Sequence, residues 1–155
     1  MLANFAKVHL GGVKNMYRIA ICDDDLVFGS LLEQYLQNFA KTRRIPIDVL
    51  VFARGEEYLE FLIEELPVDL IFLDIQFEKG LDGVQIGKEL RADIKNEMTQ
   101  IIYISGIESY AMQLFQNRPM DFLVKPVKQE RVDHIMEEYL RLFGNRNKQY
   151  FLSLI

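Results

Sequence analysis

Five short apolar runs rich in β-branched residues alternate along the chain with longer segments whose apolar residues recur every three or four positions. A parallel strand is buried on both faces, whereas a covering helix is apolar on one face only. The alternation therefore predicts an α/β fold, a doubly wound parallel sheet with helices on both faces. The predicted strands cover residues 17–22, 47–52, 69–74, 100–105 and 121–125. The predicted helices cover residues 26–42, 55–66, 83–95, 108–117 and 128–143.

Size, charge and cysteine content limit the class of protein. The chain has 155 residues, of which 50% are hydrophobic and 26% charged, as expected for one soluble globular domain. Its formal net charge of −5 gives no general attraction to nucleic-acid backbones. One cysteine, Cys22, and two histidines allow neither a disulfide framework nor a His/Cys zinc site. We expect a cytoplasmic protein.

The two ends of the chain differ from the part between them. Residues 1–16 lack the uninterrupted apolar stretch of a signal peptide, and we predict a loosely attached leader there. No apolar run elsewhere has the length of a membrane-spanning helix. Residues 17–143 are predicted to form the domain. Residues 144–155 are predicted to be a linker towards an effector domain that this chain does not contain.

Acidic residues follow two of the predicted strands. Asp23, Asp24 and Asp25 come directly after the first strand, and Asp74 ends the third. In a doubly wound sheet the carboxyl ends of neighbouring strands line one crevice, so these carboxylates should converge. Like charges repel unless a cation offsets them, and ligands that are all oxygens suit Mg²⁺. We predict a magnesium site at Asp23, Asp24 and Asp74, with Asp25 capping the next helix.

Two further strand ends add polar groups to the same crevice. The fourth strand ends at Ser105, which offers a hydroxyl, and the fifth ends at Lys125, which offers a cation. Alone, a serine before a glycine is typical of a turn, and a lysine at a strand end is typically solvated. Together with the carboxylates, they predict a pocket for a phosphoryl group.

Four motifs, ICDDD, FLDIQ, YISG and DFLVKP, carry a resemblance that covers about residues 17–143. In this order and spacing the chain resembles the receiver domain of bacterial two-component response regulators, and more narrowly the receivers attached to LytTR-type DNA-binding domains. The resemblance implies a five-stranded flavodoxin-like sheet of order 2-1-3-4-5. It also implies that Asp74 is the phosphoacceptor, and that Asp23, Asp24, Asp74 and the carbonyl of Gln76 hold Mg²⁺.

The same resemblance assigns the remaining positions. Ser105 corresponds to the switch hydroxyl, Lys125 to the family's lysine, and Phe122 to the switch aromatic. Pro126 is expected after a cis peptide bond. The segment QFEKGLDG departs from the family pattern, since it lacks a proline and is one residue longer, but its Asp-Gly pair still predicts a turn into the third helix.

The resemblance implies a signalling domain and not a conventional enzyme. A sensor histidine kinase would phosphorylate it, the phosphoryl group would be lost by self-dephosphorylation, and transcription would be the controlled output. A homodimer is expected through the fourth helix, fifth strand and fifth helix, with DNA contacted only through the separate effector domain and no membrane contact.

Two other functions compete with this prediction. A haloacid dehalogenase-type phosphatase would use Asp23 as nucleophile and Asp25 as acid/base, but it gives Asp74 no role. A receiver-like module that is not phosphorylated is disfavoured by the complete set of acidic residues together with Ser105 and Lys125.

Overall fold

The computed structural model describes residues 16–106 and 114–144 of the chain. Five parallel strands form one sheet in the order β2-β1-β3-β4-β5, which confirms the predicted fold class. The strands are β1 (Tyr17–Cys22), β2 (Ile47–Phe52), β3 (Leu70–Asp74), β4 (Gln100–Ser105) and β5 (Asp121–Val124). Three have the predicted bounds, and β3 and β5 are each one residue shorter.

Within residues 16–106 and 114–144, α-helices follow β1, β2, β3 and β5. They are α1 (Leu26–Arg43), α2 (Gly55–Glu64), α3 (Gly83–Lys88) and α4 (Gln129–Tyr139). Helix α3 continues as a π-helical turn over Glu89–Asp93, and α4 continues as one over Leu140–Gly144. Helix α2 ends two residues before its predicted limit, because Leu66 precedes Pro67 and a residue before proline disfavours the helical conformation.

Some predicted segments lie outside the described residues. Of the predicted helix over residues 108–117, only the end is described, where Phe115–Asn117 form a 3₁₀ turn. The predicted leader and linker also lie outside, except for Met16 and Gly144. Among the described residues, no helix has the length and apolar character needed to cross a bilayer.

The core consists of two apolar layers, one on each face of the sheet. On β1, Ile19 and Ile21 face the layer that α1 and α4 cover, while Ala20 and Cys22 face the layer that α2 and α3 cover. Strand β3 is buried along its whole length. Cys22 is fully buried, as expected of a small core residue, and burial raises the pKa of its thiol.

Two helix starts fix the loops at the carboxyl end of the sheet. Asp25 caps α1 as predicted, because its Oδ1 accepts hydrogen bonds from the amides of Val27 and Phe28, each at 3.1 Å. Asp82 begins α3 with a capping box shared with Gln85. The next residue is Gly83, and a Cβ added to it would lie 2.1 Å from the carbonyl oxygen of Asp74. Only glycine therefore lets α3 start this close to β3.

A polar cluster lies at the other end of the sheet, where β4 and β5 begin. Arg91, in the π-helical turn, is buried, and its guanidinium donates to the backbone carbonyls of Asn96 and Thr99, both at 2.8 Å, and of Asn117 at 2.9 Å. The Asn117 amide donates to the Tyr103 hydroxyl at 2.9 Å. These bonds connect the end of α3 to the segments that precede β4 and β5.

Candidate functional site

Three carboxylates converge at the carboxyl end of the central strands. One oxygen from each of Asp23, Asp24 and Asp74 lies within 4.8 Å of the other two. Asp23 and Asp74 are buried, whereas Asp24 is half-buried and Asp25 points away as the α1 cap. This is the arrangement expected when β1 and β3 are neighbours and both end in aspartate.

Hydrogen bonds hold these carboxylates in place. Asp23 Oδ1 accepts the Asp25 amide at 2.8 Å, and Asp74 Oδ1 accepts the Gln76 amide at 3.2 Å. Asp24 Oδ2 accepts the Glu78 amide at 2.9 Å. Asp23 Oδ2 is buried and has no hydrogen-bond partner among the residues that the structure describes.

Lys125 supplies the positive charge that faces this cluster. Its Nζ lies 3.1 Å from Asp23 Oδ2 and 3.7 Å from Asp74 Oδ2, so the ammonium forms an ion pair with each carboxylate. The ammonium also lies 4.3 Å from the centre of the Phe28 ring, a cation–π contact that fixes the lysine from α1. Lys125 precedes a cis proline, Pro126, as predicted.

The electrostatics of Asp74 follow from this geometry. Burial, and then the charge of Asp23, raise the pKa of Asp74 from 3.8 to about 7, while Lys125 and the Gln76 amide act in the opposite direction. One lysine therefore does not offset the charge of the cluster. An additional cation at this site would favour the ionised form of Asp74.

The donor set fits Mg²⁺. It consists of oxygens only, it carries excess negative charge, and the buried Asp23 Oδ2 has, within the described part of the chain, no hydrogen-bond partner beyond its 3.1 Å ion pair with Lys125. Asp23, Asp24 and Asp74 are the residues that would hold the ion. An open cleft of about 650 Å³ adjoins them, lined in part by Asp24, Gln76 and Glu78.

The other predicted site residues lie on the neighbouring strands. Ser105 is buried at the end of β4, where its carbonyl accepts the Lys125 amide at 2.9 Å. Phe122 on β5 stacks on the buried Tyr103 at 6.2 Å between ring centres and meets the exposed Phe115 edge-on at 5.9 Å. The structure thus groups Asp23, Asp24, Asp74 and Lys125 directly and places Ser105 on the adjoining strand end.

Two contacts of the site have no signal in the sequence. Phe28 reads as a core residue of α1, yet its ring also contacts Lys125. Glu56, in the first turn of α2, accepts the Leu81 amide at 2.9 Å and so contacts the loop between β3 and α3. The two residues of that second contact are 25 positions apart, and no local pattern joins them.

Residues 19–137 match the family described as response regulator receiver domain. The chain belongs to this family. The predicted identity is confirmed: the chain is a receiver domain of a two-component response regulator. The haloacid dehalogenase alternative is not supported, and the carboxylate it would use as acid/base, Asp25, is engaged as a helix cap.

Curated relatives of this receiver domain include LytT sensory transduction proteins. That of Oceanobacillus iheyensis is 34% identical over 77 residues, which cover 50% of this chain and 30% of the relative. That of Bacillus subtilis is 24% identical over 127 residues, which cover 82% of this chain and 49% of the relative. These names agree with the predicted LytTR-associated type. The chain spans at most about half the length of these relatives.

Solved structures share the fold of this receiver domain. The response regulatory domain of MrkE from Klebsiella pneumoniae has a TM-score of 0.71 at 21% identity, covering 83% of this chain and 98% of that one. TrrA from Thermotoga maritima, solved in complex with Mg²⁺ and BeF, has a TM-score of 0.68 at 24% identity, covering 81% of this chain and 100% of that one.

Proposed function

We propose that Asp74 is the phosphoacceptor of this receiver domain. The observation that carries the proposal is the position of its carboxylate, buried at the end of β3, near Lys125 and grouped with Asp23 and Asp24. Mg²⁺ held by Asp23, Asp24, Asp74 and the carbonyl of Gln76 would offset the charge that accumulates when a phosphoryl group approaches. The TrrA complex with Mg²⁺ and BeF supports this for a domain of the same fold.

The chemistry is phosphoryl transfer by positioning and charge. An ionised Asp74 oxygen attacks the phosphorus of a phosphohistidine, the P–N bond breaks, and the ring nitrogen keeps the electron pair. Lys125, already within 3.7 Å of Asp74 Oδ2, neutralises part of the negative charge on the transferred oxygens. In self-dephosphorylation, water attacks the same phosphorus, the bond to Asp74 breaks, and inorganic phosphate leaves.

Ser105 and Phe122 connect the modification to the output surface. Phosphorylation adds roughly −1.5 to −2 charges at neutral pH, and the hydroxyl of Ser105, on the adjoining strand end, would be drawn towards that charge. Phe122 of β5 stacks on Tyr103 of β4. Movement at the end of β4 would therefore change the packing of Phe122. The change is a shift between two packings, each populated to an extent set by their free-energy difference.

The phosphodonor is a sensor histidine kinase. Close to the phosphoacceptor, α1 begins with two exposed apolar side chains, Leu26 at 63% and Val27 at 82% exposure. Leu31, one turn after Val27, is 43% exposed. Exposed apolar groups beside a charged site favour contact with a protein, because a small phosphate ester gains nothing from them. Action on DNA and control of transcription would require an effector domain joined to the receiver. The proposed location of this protein is the cytoplasm.

Homodimer formation on phosphorylation is proposed through the segment of the predicted helix over residues 108–117, together with β5 and α4. Phe115 is 59% exposed and Val124 is 43% exposed on this face. Arg131 of α4 pairs with Asp121 of β5 at 3.0 Å, and the same pairs could re-form across a two-fold axis. Sedimentation of the domain with and without a beryllofluoride mimic tests this. A monomer in both states contradicts dimerisation and leaves the phosphoacceptor assignment intact.

Incubation with acetyl phosphate and Mg²⁺, followed by intact-mass measurement, tests the function. The wild type should gain one phosphoryl group that is stable to acid and labile to alkali. Asp74→Asn should gain none, because the amide keeps the shape of the side chain and is not a nucleophile. Labelling of Asp74→Asn at the wild-type rate would remove Asp74 from this role. Asp25→Asn serves as a control that alters a neighbouring acid and should still be labelled.

A further inference from the structure

The loop between β3 and α3, residues 75–82, is held at two points by carboxylates of other elements. Asp24, after β1, accepts the Glu78 amide at 2.9 Å. Glu56, in the first turn of α2, accepts the Leu81 amide at 2.9 Å. This loop carries Gln76 beside the phosphoacceptor and forms one wall of the cleft next to the carboxylate cluster.

The contact at Glu56 is closely fitted. Gly80 has a φ of +82°, and a Cβ at this position would lie 2.5 Å from a carboxylate oxygen of Glu56. Only glycine combines that backbone conformation with that approach. Arg54 donates to this same oxygen, Glu56 Oε2, at 2.8 Å, while Oε1 accepts the Leu81 amide. The Leu81 amide, followed by Arg54, lowers the pKa of Glu56, so the group that accepts the hydrogen bond stays ionised.

From these contacts we infer that Glu56 is a positioning residue for the Mg²⁺ site. It anchors the loop at a second point, three residues after the Asp24 contact, so that Gln76 and Glu78 stand beside the carboxylate cluster before the ion binds. An unanchored loop would have to be ordered during binding, and the affinity would fall by the free energy of that ordering. The inference rests on the proposed function, because it assigns a role in forming the site proposed there.

A simpler role for Glu56 must be separated from this one. An acidic residue in the first turn of a helix stabilises it through the helix dipole, and Glu56 and Glu57 both lie in the first turn of α2. Glu57 is exposed, has the same charge, and is one position along the chain. Glu57→Ala is therefore the matched control, since it removes a first-turn carboxylate and leaves the Leu81 contact in place.

The experiment measures Mg²⁺ binding to the whole chain by isothermal titration with Mg²⁺ alone, for the wild type, Glu56→Ala, Glu56→Gln and Glu57→Ala. We expect Glu56→Ala to weaken the affinity about tenfold, the usual effect of losing a residue that orients a metal site. Glu56→Gln should keep most of the affinity, because its amide oxygen can still accept the Leu81 amide. Glu57→Ala should bind like the wild type.

Amide hydrogen exchange supplies the second readout. Without Mg²⁺, the amides of Glu78 and Leu81 should exchange faster in Glu56→Ala than in the wild type, while amides of β1 and β3 should be unchanged. Wild-type affinity and exchange in Glu56→Ala, or equal losses in Glu56→Ala and Glu57→Ala, would overturn the positioning role alone. A wild type that does not bind Mg²⁺ would overturn it together with the proposed metal site.

Discussion

The strands begin at one end of the sheet, called the amino edge, and end at the other, called the carboxyl edge. Buried charge is balanced differently at these two edges. At the amino edge, the buried Arg91 donates to the backbone carbonyls of Asn96, Thr99 and Asn117, with a longer contact of 3.4 Å to that of Arg118, so most of its hydrogen-bonding capacity is met within the fold. At the carboxyl edge, Asp23 and Asp74 are buried next to each other, and Lys125 is the one cation that faces them within residues 16–106 and 114–144. The fold itself satisfies most of the buried charge at one edge, whereas at the other the described residues leave an excess negative charge that a cation would offset.

The difference separates a structural charge from a functional one. A buried polar group with all partners supplied by the chain contributes to stability and leaves nothing for a ligand to satisfy. A cluster of like charges lowers the stability of the unliganded fold, and a cation or an added proton relieves it. Substitution of Arg91 and substitution of Asp74 should therefore have opposite effects on the free energy of unfolding.

The largest expected effect on stability is at the amino edge. Arg91→Ala removes the donors for several buried carbonyls and should lower the free energy of unfolding by about 3 kcal/mol. Lys88→Ala, three residues earlier on the same helix at an exposed position, is the control and should cause little change. Denaturant unfolding followed by circular dichroism measures both. Equal effects of the two substitutions would show that the Arg91 cluster does not stabilise the fold.

The sequence predicts these two edges to different extents. The carboxyl edge could be predicted, because strand periodicity places Asp23, Asp74, Ser105 and Lys125 at strand ends and parallel topology brings those ends together. The amino edge could not. An arginine within a helical pattern is expected to be solvated, and Arg91 is buried where the predicted helix over residues 83–95 changes to a π-helical turn.

Long-range contacts are the other part that the sequence does not predict. The segment QFEKGLDG between β3 and α3 departs from the family pattern, and the predicted turn into α3 at Asp82-Gly83 is confirmed. Its anchor could not be recognised. Glu56 is one of two adjacent glutamates, and only the position of α2 beside Gly80 distinguishes it from Glu57.

At the carboxyl edge, removal of charge should stabilise the metal-free protein. The pKa of Asp74 is raised in the folded state, so the stability this group contributes is full below pH 3.8 and is lost as the pH rises through about 7. Asp74→Asn does not titrate, and its amide can donate to Asp23 Oδ2. At pH 8 with a chelator, the variant should be more stable than the wild type by about 2 kcal/mol.

Two conditions check the origin of this gain. The difference between Asp74→Asn and the wild type should shrink as the pH is lowered towards 4, because the wild-type carboxyl becomes protonated. Added Mg²⁺ should also reduce it at pH 8, since the ion stabilises the wild type more than the variant. A gain that is the same at both pH values would mean that charge repulsion at Asp74 is not its cause.

The smallest effect distinguishes the aspartates that follow β1. Asp24→Ala deletes a carboxylate of the proposed Mg²⁺ site and should weaken Mg²⁺ binding about tenfold, or about 1.4 kcal/mol. Ser105→Ala should weaken it less, because the hydroxyl is proposed to meet the phosphoryl group and not the ion.

Asp25→Ala removes the same charge one residue away, and its capping role predicts a loss of about 1 kcal/mol in stability with Mg²⁺ affinity kept. Isothermal titration and denaturant unfolding of the three variants measure these effects. If Asp25→Ala weakens Mg²⁺ binding as much as Asp24→Ala does, the site responds to general negative charge, and the assignment of Asp24 as a ligand is wrong.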